Sequence, residues 1–159
     1  MGLLPLKRDR LLWGKFAFSA TWSFLIAEFL VVFSDLMLGM PPWIVSLHAL
    51  TVIVLALGLS GLSVGLGAMM PNFRESDPSK IAVGFGGTIN LVMGLLYLLL
   101  ILVLMSLPVH VYYAGFELES TNPVEHELAR ITMWWLRIGL VLGLALGAAA
   151  VVLPLRLGA

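Results

Sequence analysis

Four apolar runs, each long enough to cross a lipid bilayer, restrict the fold of this chain more than any other feature. A helix needs roughly 20 consecutive apolar residues to cross the hydrocarbon of a membrane. Hydrophobic residues make up 60% of the 159 residues and charged residues only 11%, which leaves too little polar surface to cover a globule in water. The sequence therefore predicts an all-α fold, a polytopic bundle of four transmembrane helices that forms a single domain. The predicted spans are residues 15–38, 43–70, 81–107 and 131–153.

Three breaks separate the predicted spans. Gly39 and the prolines Pro41 and Pro42 form a tight break after the first span, because proline cannot continue a helix. A polar connector at residues 71–80 separates the second span from the third, and an acidic loop at residues 108–130 separates the third from the fourth. The basic N-terminus followed by an apolar run superficially suits a signal peptide. That run is too long for the apolar part of a signal peptide, so we interpret it as a retained span.

Lysine and arginine residues near the span ends predict the orientation, since cytoplasmic segments carry an excess of them. Basic residues lie before the first span, in the connector and after the fourth span: Lys7, Arg8, Arg10, Lys15, Arg74, Lys80 and Arg156. The loop at residues 108–130 has one basic residue, Arg130, against Glu117, Glu119, Glu125 and Glu127. We predict that the N-terminus, the connector and the C-terminus are cytoplasmic and that the acidic loop lies outside.

Glycines recur at helical spacing within the spans and predict faces for close packing. Helices in lipid associate through close backbone approach and a few polar contacts, because lipid offers no hydrophobic drive between them. The predicted packing residues are Gly61, Gly65, Gly84, Gly86, Gly87, Gly139, Gly143 and Gly147. Alternatively, these faces slide or rock during a transport cycle, and the sequence does not separate the two interpretations.

Few ionisable or amide side chains lie within the spans, where such groups usually face a protein interior or a water-filled cavity. Glu28 lies near the middle of the first span and Asn90 near the start of the third. Both are candidates for lining a substrate or proton path. The alternative for Glu28 is a carboxyl group that is hydrogen-bonded to a neighbouring helix. Asp35 and Arg137 both lie toward the outer side, and we hypothesise that they pair.

The sequence lacks the motifs of an enzyme or of a cofactor-binding protein. It contains no G-x-x-x-x-G-K-[S/T] nucleotide loop, and the glycine cluster at residues 84–88 lacks the lysine that would reach phosphates. No metal-ligand spacing is evident, and there is no cysteine. A formal net charge of zero argues against a nucleic-acid partner. We therefore predict no enzymatic activity, no cofactor, no metal site and no nucleic-acid binding for this chain.

The segment at residues 61–90 combines glycines, a Pro-Asn-Phe sequence, acidic residues and a Gly-Phe-Gly-Gly sequence. This pattern resembles the intracellular connector of bacterial ABC exporter permeases of the type-2 membrane-domain class. The matching residues are Gly65, Gly67, Pro71, Asn72, Phe73, Glu75, Pro78, Lys80, Ile81, Gly84, Phe85, Gly86, Gly87 and Asn90. A weaker match covers residues 5–16, and the order of the spans extends the similarity along the chain.

The resemblance implies a membrane-spanning permease subunit of an ATP-driven ABC exporter in the bacterial inner membrane. It implies a separate ATP-binding subunit, which would hydrolyse the ATP at the cytoplasmic face. The contacts to that subunit would come from Pro71, Asn72, Phe73, Arg74, Glu75, Asp77 and Lys80. Such permeases usually have six or more spans, so this chain resembles the C-terminal part of one. Further permease spans or a second permease copy are therefore expected partners, in addition to the lipid bilayer.

Two functions from other classes remain open. A small membrane scaffold or assembly protein would use the glycine faces to bind other helices. A proton-coupled carrier would use Glu28, and its transport would not need ATP. Co-purification of a P-loop ATPase favours the exporter, whereas ATP-independent transport that is lost in Glu28→Gln favours the carrier.

Overall fold

The computed structural model describes residues 8–70, 84–117 and 124–158. Within these ranges every regular element is an α-helix. The helices are α1 (Arg8–Met37), α2 (Pro42–Met69), α3 (Phe85–Glu117) and α4 (Val124–Gly158). All four are long and apolar enough to cross a membrane, with mean hydropathies of 1.8 to 2.5 in their most apolar stretches. The prediction of an all-α bundle with four membrane helices is confirmed.

The turn between α1 and α2 is a Schellman motif followed by a proline start. Gly39 has a φ of 65°, in the left-handed region that glycine enters without steric cost. Its N–H donates to the carbonyl of Leu36 at 3.2 Å, and the N–H of Met40 donates to the carbonyl of Asp35 at 3.0 Å. Pro42 takes the first position of α2, where its missing N–H leaves no helical hydrogen bond unmade. This turn reverses the chain and lays α1 against α2.

Helices α3 and α4 extend beyond the predicted spans. Helix α3 continues through Pro108 to Glu117, and α4 begins at Val124 and includes Pro154. A proline removes one backbone hydrogen bond, but a membrane helix can resume beyond it where neighbouring helices satisfy the freed groups. Both ends of the segment predicted as a loop at residues 108–130 are therefore helical.

Helix α2 is the centre of the bundle. It contacts α1, α3 and α4, whereas α1 barely reaches α4. Among the described residues, α1 and α3 do not contact each other. In the most apolar stretch of α2, 50% of the residues are buried inside the bundle, compared with 11% in α1. Helix α1 is therefore attached to the bundle almost entirely through α2.

Two buried clusters hold the helices together. The larger joins α2 and α3 and is covered by α4; it contains Val54, Leu62, Tyr97, Ile101 and Met105. The smaller joins α1 to the last turns of α4 and contains Phe16, Ala20 and Leu155. Outside these clusters, large apolar side chains such as Phe18, Phe29 and Leu157 remain exposed. Soluble monomers rarely expose large apolar side chains on this scale, so the exposed face, like the four apolar helices, indicates a membrane protein.

Candidate functional site

The contact between α2 and α4 depends on two glycines. An ideal Cβ atom at Gly61 would lie 2.7 Å from the Cα of Val151 and 2.8 Å from the carbonyl oxygen of Ala150. A Cβ atom at Gly65 would overlap Pro154. Real Cβ atoms do not approach other atoms this closely, so α2 and α4 lie nearer to each other than any larger residue at these positions allows.

The glycines of α4 face α2 and α3. A Cβ atom at Gly139 would lie 2.9 Å from the carbonyl oxygen of Leu104, and one at Gly143 would lie 2.6 Å from the terminal methyl group of Met105. A Cβ atom at Gly147 would lie 2.7 Å from Val54. The first two contacts join α4 to α3, and the third joins α4 to α2.

The glycines at the start of α3 have fewer close neighbours. A Cβ atom at Gly86 would lie 3.4 Å from the Cβ of Met70, which is an ordinary contact distance. The carbonyl of Gly84 accepts a hydrogen bond from the N–H of Thr88 at 2.9 Å, while Gly87 is partly buried in the first turn. The packing role of all eight predicted glycines stays a prediction until substitutions test it, and it is best motivated in α2 and α4.

A buried hydrogen bond joins α3 to α2 beside these glycines. The hydroxyl of Tyr97 donates to the backbone carbonyl of Val54 at 2.7 Å. The aromatic ring lies against Gly58, where a Cβ atom would overlap it. The sequence reasoning missed Tyr97, although a lone tyrosine among leucines at a span centre indicates a buried hydroxyl that needs a partner.

Glu28 and Asn90 are not brought together. One carboxylate oxygen of Glu28 and the amide oxygen of Asn90 are both enclosed and have no hydrogen-bond partner. Glu28 lies on α1 and Asn90 on α3, two helices that do not contact each other within the described ranges. Their assignment to a substrate or proton path stays a prediction. A path lined by both residues would also need residues from a helix that lies between α1 and α3.

Asp35 pairs with His48 rather than with Arg137. The Nδ1 atom of His48 lies 2.8 Å from Oδ2 of Asp35, whose side chain is buried. Arg137 is exposed on α4, so the hypothesis of an Asp35–Arg137 pair is wrong. The reversal of the chain at residues 38–41 brings Asp35 and His48 to the same level of the bundle. Depth in the membrane alone does not identify this partner, because several polar residues lie toward the same side.

A small pocket of about 200 Å³ lies beside this pair, between α2 and α3. His48 and His110 both line it, and Nδ1 of His110 lies 3.2 Å from the carbonyl oxygen of Ser106. Within the described part of the chain, no three His, Cys, Asp or Glu side chains are placed to hold a metal ion.

A larger groove of about 410 Å³ runs between α2, α3 and α4 toward the C-terminal end of α4. Its walls are almost wholly apolar and carry no lysine or arginine; they include Leu62, Leu66, Met93, Tyr97, Pro154 and Leu157. The residues predicted to contact the partner lie outside the described ranges, so this contact stays a prediction. They are Pro71, Asn72, Phe73, Arg74, Glu75, Asp77 and Lys80.

A family model described as "Putative ATP-binding cassette" matches residues 1–159, which is the whole chain. The chain belongs to this ATP-binding cassette family. Searches among curated proteins and among solved structures give no match. Family membership, together with the four apolar helices, associates the chain with the membrane and with ABC transporter machinery.

Membership of this family corrects the resemblance to type-2 exporter permeases. The description of the family names ATP binding and not a permease. The assignment of the chain to type-2 exporter permeases from residues 61–90, and the exporter-permease function predicted from it, are therefore wrong. The motif misled because half of its matching positions are glycines and prolines, which many membrane helices use at turns and close contacts. The scaffold and carrier functions gain no support from the family match.

The described residues do not form a site for a nucleoside triphosphate. The sequence has no P-loop, which needs a strand, a glycine-rich loop with lysine and a helix. The hydroxyl of Thr88, in the glycine cluster, donates back to the carbonyl of Gly84 at 3.2 Å. The larger groove carries no cation that could bind phosphate.

Proposed function

We propose that this chain is a membrane-embedded component of ABC transporter machinery that binds a separate ATP-binding subunit and hydrolyses no ATP itself. The observation that carries the proposal is the whole-chain match to an ATP-binding cassette family by a sequence that has four membrane helices and no P-loop. The family associates the chain with ATP-driven machinery, while its sequence has no P-loop to hold the triphosphate. A partner that binds ATP reconciles these two facts.

The proposed location is the cell inner membrane, with both termini in the cytoplasm. The support is the excess of lysine and arginine at the N-terminus, the connector and the C-terminus. ATP is a cytoplasmic substrate, so a partner that binds it must meet the chain on that side.

The proposed contact with the ATP-binding subunit is the connector at residues 71–80. It carries both signs of charge, Arg74 and Lys80 with Glu75 and Asp77, in a short segment between two helices. Mixed charges favour a specific orientation between partners, because a wrong orientation opposes like charges. The prolines at positions 71 and 78 restrict the backbone and reduce the entropy that is lost on binding.

The test uses the full chain with an affinity tag, first purified alone in detergent and then purified from the membranes of its source cells. We expect the chain alone to bind no Mg-ATP in titration calorimetry. We expect an ATPase subunit to remain on the tagged chain through purification and to bring ATPase activity with it. Micromolar Mg-ATP binding by the chain alone would overturn the proposal and assign ATP binding to this chain.

A charge-reversed variant tests the contact surface. Arg74→Glu combined with Lys80→Glu should release the ATPase subunit without preventing membrane insertion. The matched control is Arg10→Glu, which reverses an exposed basic residue at the other cytoplasmic end. If the connector variant retains the subunit as well as the control does, the contact lies elsewhere, while the proposed function itself still rests on the ATP-binding result.

A further inference from the structure

Two prolines lie inside the helices, and each leaves one backbone carbonyl without its usual donor. Pro154 has no N–H to donate to the carbonyl of Ala150, and Pro108 has none for the carbonyl of Leu104. An unpaired carbonyl in the hydrocarbon costs free energy, so such groups are normally satisfied by neighbouring helices or side chains.

Both freed carbonyls lie against a glycine of a neighbouring helix. Gly61 of α2 faces the Ala150 oxygen, and Gly139 of α4 faces the Leu104 oxygen; ideal Cβ atoms there would lie 2.8 Å and 2.9 Å from the two oxygens. In glycine that direction holds a hydrogen, so the Cα–H group can serve as a weak donor to the carbonyl. The same pairing occurs at two independent positions in the bundle.

The contact at Pro154 continues along α2. Gly65 lies directly against Pro154, and a Cβ atom at Gly158 would lie 3.1 Å from both the Gly65 carbonyl oxygen and the Cβ of Ala68. The last turn of α4, residues 154–158, is therefore fitted closely to α2 at the point where its connection to the rest of α4 is weakened.

We infer that Pro154 is a hinge in α4, where contact with α2 replaces the helix's own hydrogen bond in holding the turn at residues 154–158. Sharp bends in helices occur at prolines, because the ring and the missing hydrogen bond weaken the preceding turn. Residues on both sides of the hinge, Leu153 and Leu157, line the large apolar groove. A change in the bend at Pro154 therefore changes the width of that groove. The hinge does not depend on whether the chain binds the proposed ATP-binding subunit.

The absence of native cysteine allows pairs of spin labels to measure the hinge. One pair, Val141→Cys with Leu157→Cys, spans Pro154 within α4. The other, Ser63→Cys with Leu157→Cys, joins α2 to the last turn. All three positions are exposed, so the labels need not disturb packing.

Pro154→Ala restores the missing N–H and should join the last turn rigidly to α4. We expect the distance distribution of the pair within α4 to become narrower in pulsed EPR. Pro108→Ala, the same chemical change in α3, should leave it unaltered. An unchanged width in Pro154→Ala, with helix content preserved by circular dichroism, overturns the hinge.

Gly65→Ala pushes Pro154 away from α2 and should lengthen the distance between α2 and the last turn. A change in bend of about 20° over a turn about 6 Å long moves its end by about 2 Å. The control is Gly67→Ala, since a Cβ atom there meets nothing within 4 Å. An unchanged distance in Gly65→Ala refutes the attachment of the last turn to α2.

Discussion

The two faces of α2 hold their neighbours by different means. Toward α4, the contact consists of glycines that bring two backbones together, with Gly61 and Gly65 against Ala150, Val151 and Pro154. Toward α1, the contact includes two polar links that join side chains across the interface. These are the two ways in which helices associate where lipid is the solvent. The first contact is sensitive to added volume and the second to the loss of a partner, so different substitutions should weaken them.

The largest effect is expected at the glycine contact. Gly65→Ala places a Cβ atom inside Pro154, and overpacking of this kind costs about 3 kcal/mol of unfolding free energy. Thermal or steric-trap unfolding in detergent measures the loss. Gly67→Ala, two residues away on the open side of α2, should be neutral or slightly stabilising because alanine has the higher helix propensity. Equal effects of the two substitutions would show that α2 and α4 are not closely packed.

The next effect is expected at the Asp35–His48 pair. His48→Ala leaves the buried Asp35 carboxyl group without its partner, at a cost of about 2 kcal/mol. A double-mutant cycle with Asp35→Ala should show coupling between the two residues. The same cycle with Arg137→Ala should show none, because Arg137 is exposed on α4. Coupling to Arg137 instead of His48 would restore the pair that the sequence favoured.

Tyr97 allows the two kinds of contact to be separated at one position. Tyr97→Phe removes the hydroxyl that donates to the Val54 carbonyl and keeps the ring that lies against Gly58. We expect a loss of about 1 kcal/mol, typical of one buried hydrogen bond. A loss several times larger would mean that the hydroxyl organises more of the interface between α2 and α3 than this single bond.

The smallest effect is expected at the second polar link between α1 and α2. The hydroxyl of Ser19 donates to that of Ser60 at 3.2 Å, and hydrogen bonds between membrane helices average about 0.6 kcal/mol. Ser19→Ala should therefore cost about 0.5 kcal/mol of unfolding free energy. Ser63→Ala, an exposed serine on α2, is the control and should have no effect. A loss at Ser19 as large as the one at His48 would show that this link matters as much as the Asp35–His48 pair.

Sequence patterns predicted the helices better than the contacts between them. The four apolar runs gave the number of helices, and Gly39 with Pro41 and Pro42 marked the turn that the structure places there. The third and fourth predicted spans end at residues 107 and 153, yet the helices continue through the prolines that follow, Pro108 and Pro154. The rule that proline ends a helix considers one helix alone. It does not include a neighbouring helix that contacts the carbonyl left without a donor and so allows the helix to continue.

The candidate functional residues show the same limit. The sequence predicts one pathway role for Glu28 and Asn90, but they lie on helices that do not contact each other in the described part of the bundle. Depth in the membrane suggests Arg137 as the partner of Asp35, whereas the chain reversal brings Asp35 to His48. The motif at residues 61–90 led to the wrong family assignment, which only the whole-chain comparison corrected.

The sequence by itself determined that this chain is a bundle of four membrane helices, because apolar length and the shortage of charge leave no other solvent for it. Only the tertiary structure decided which side chains are partners. Helix rotation and tilt place Gly61 on the Ala150 carbonyl and Asp35 on His48, and these angles come from packing among several helices at once. A pattern read along one helix contains no information about the rotation of its neighbour.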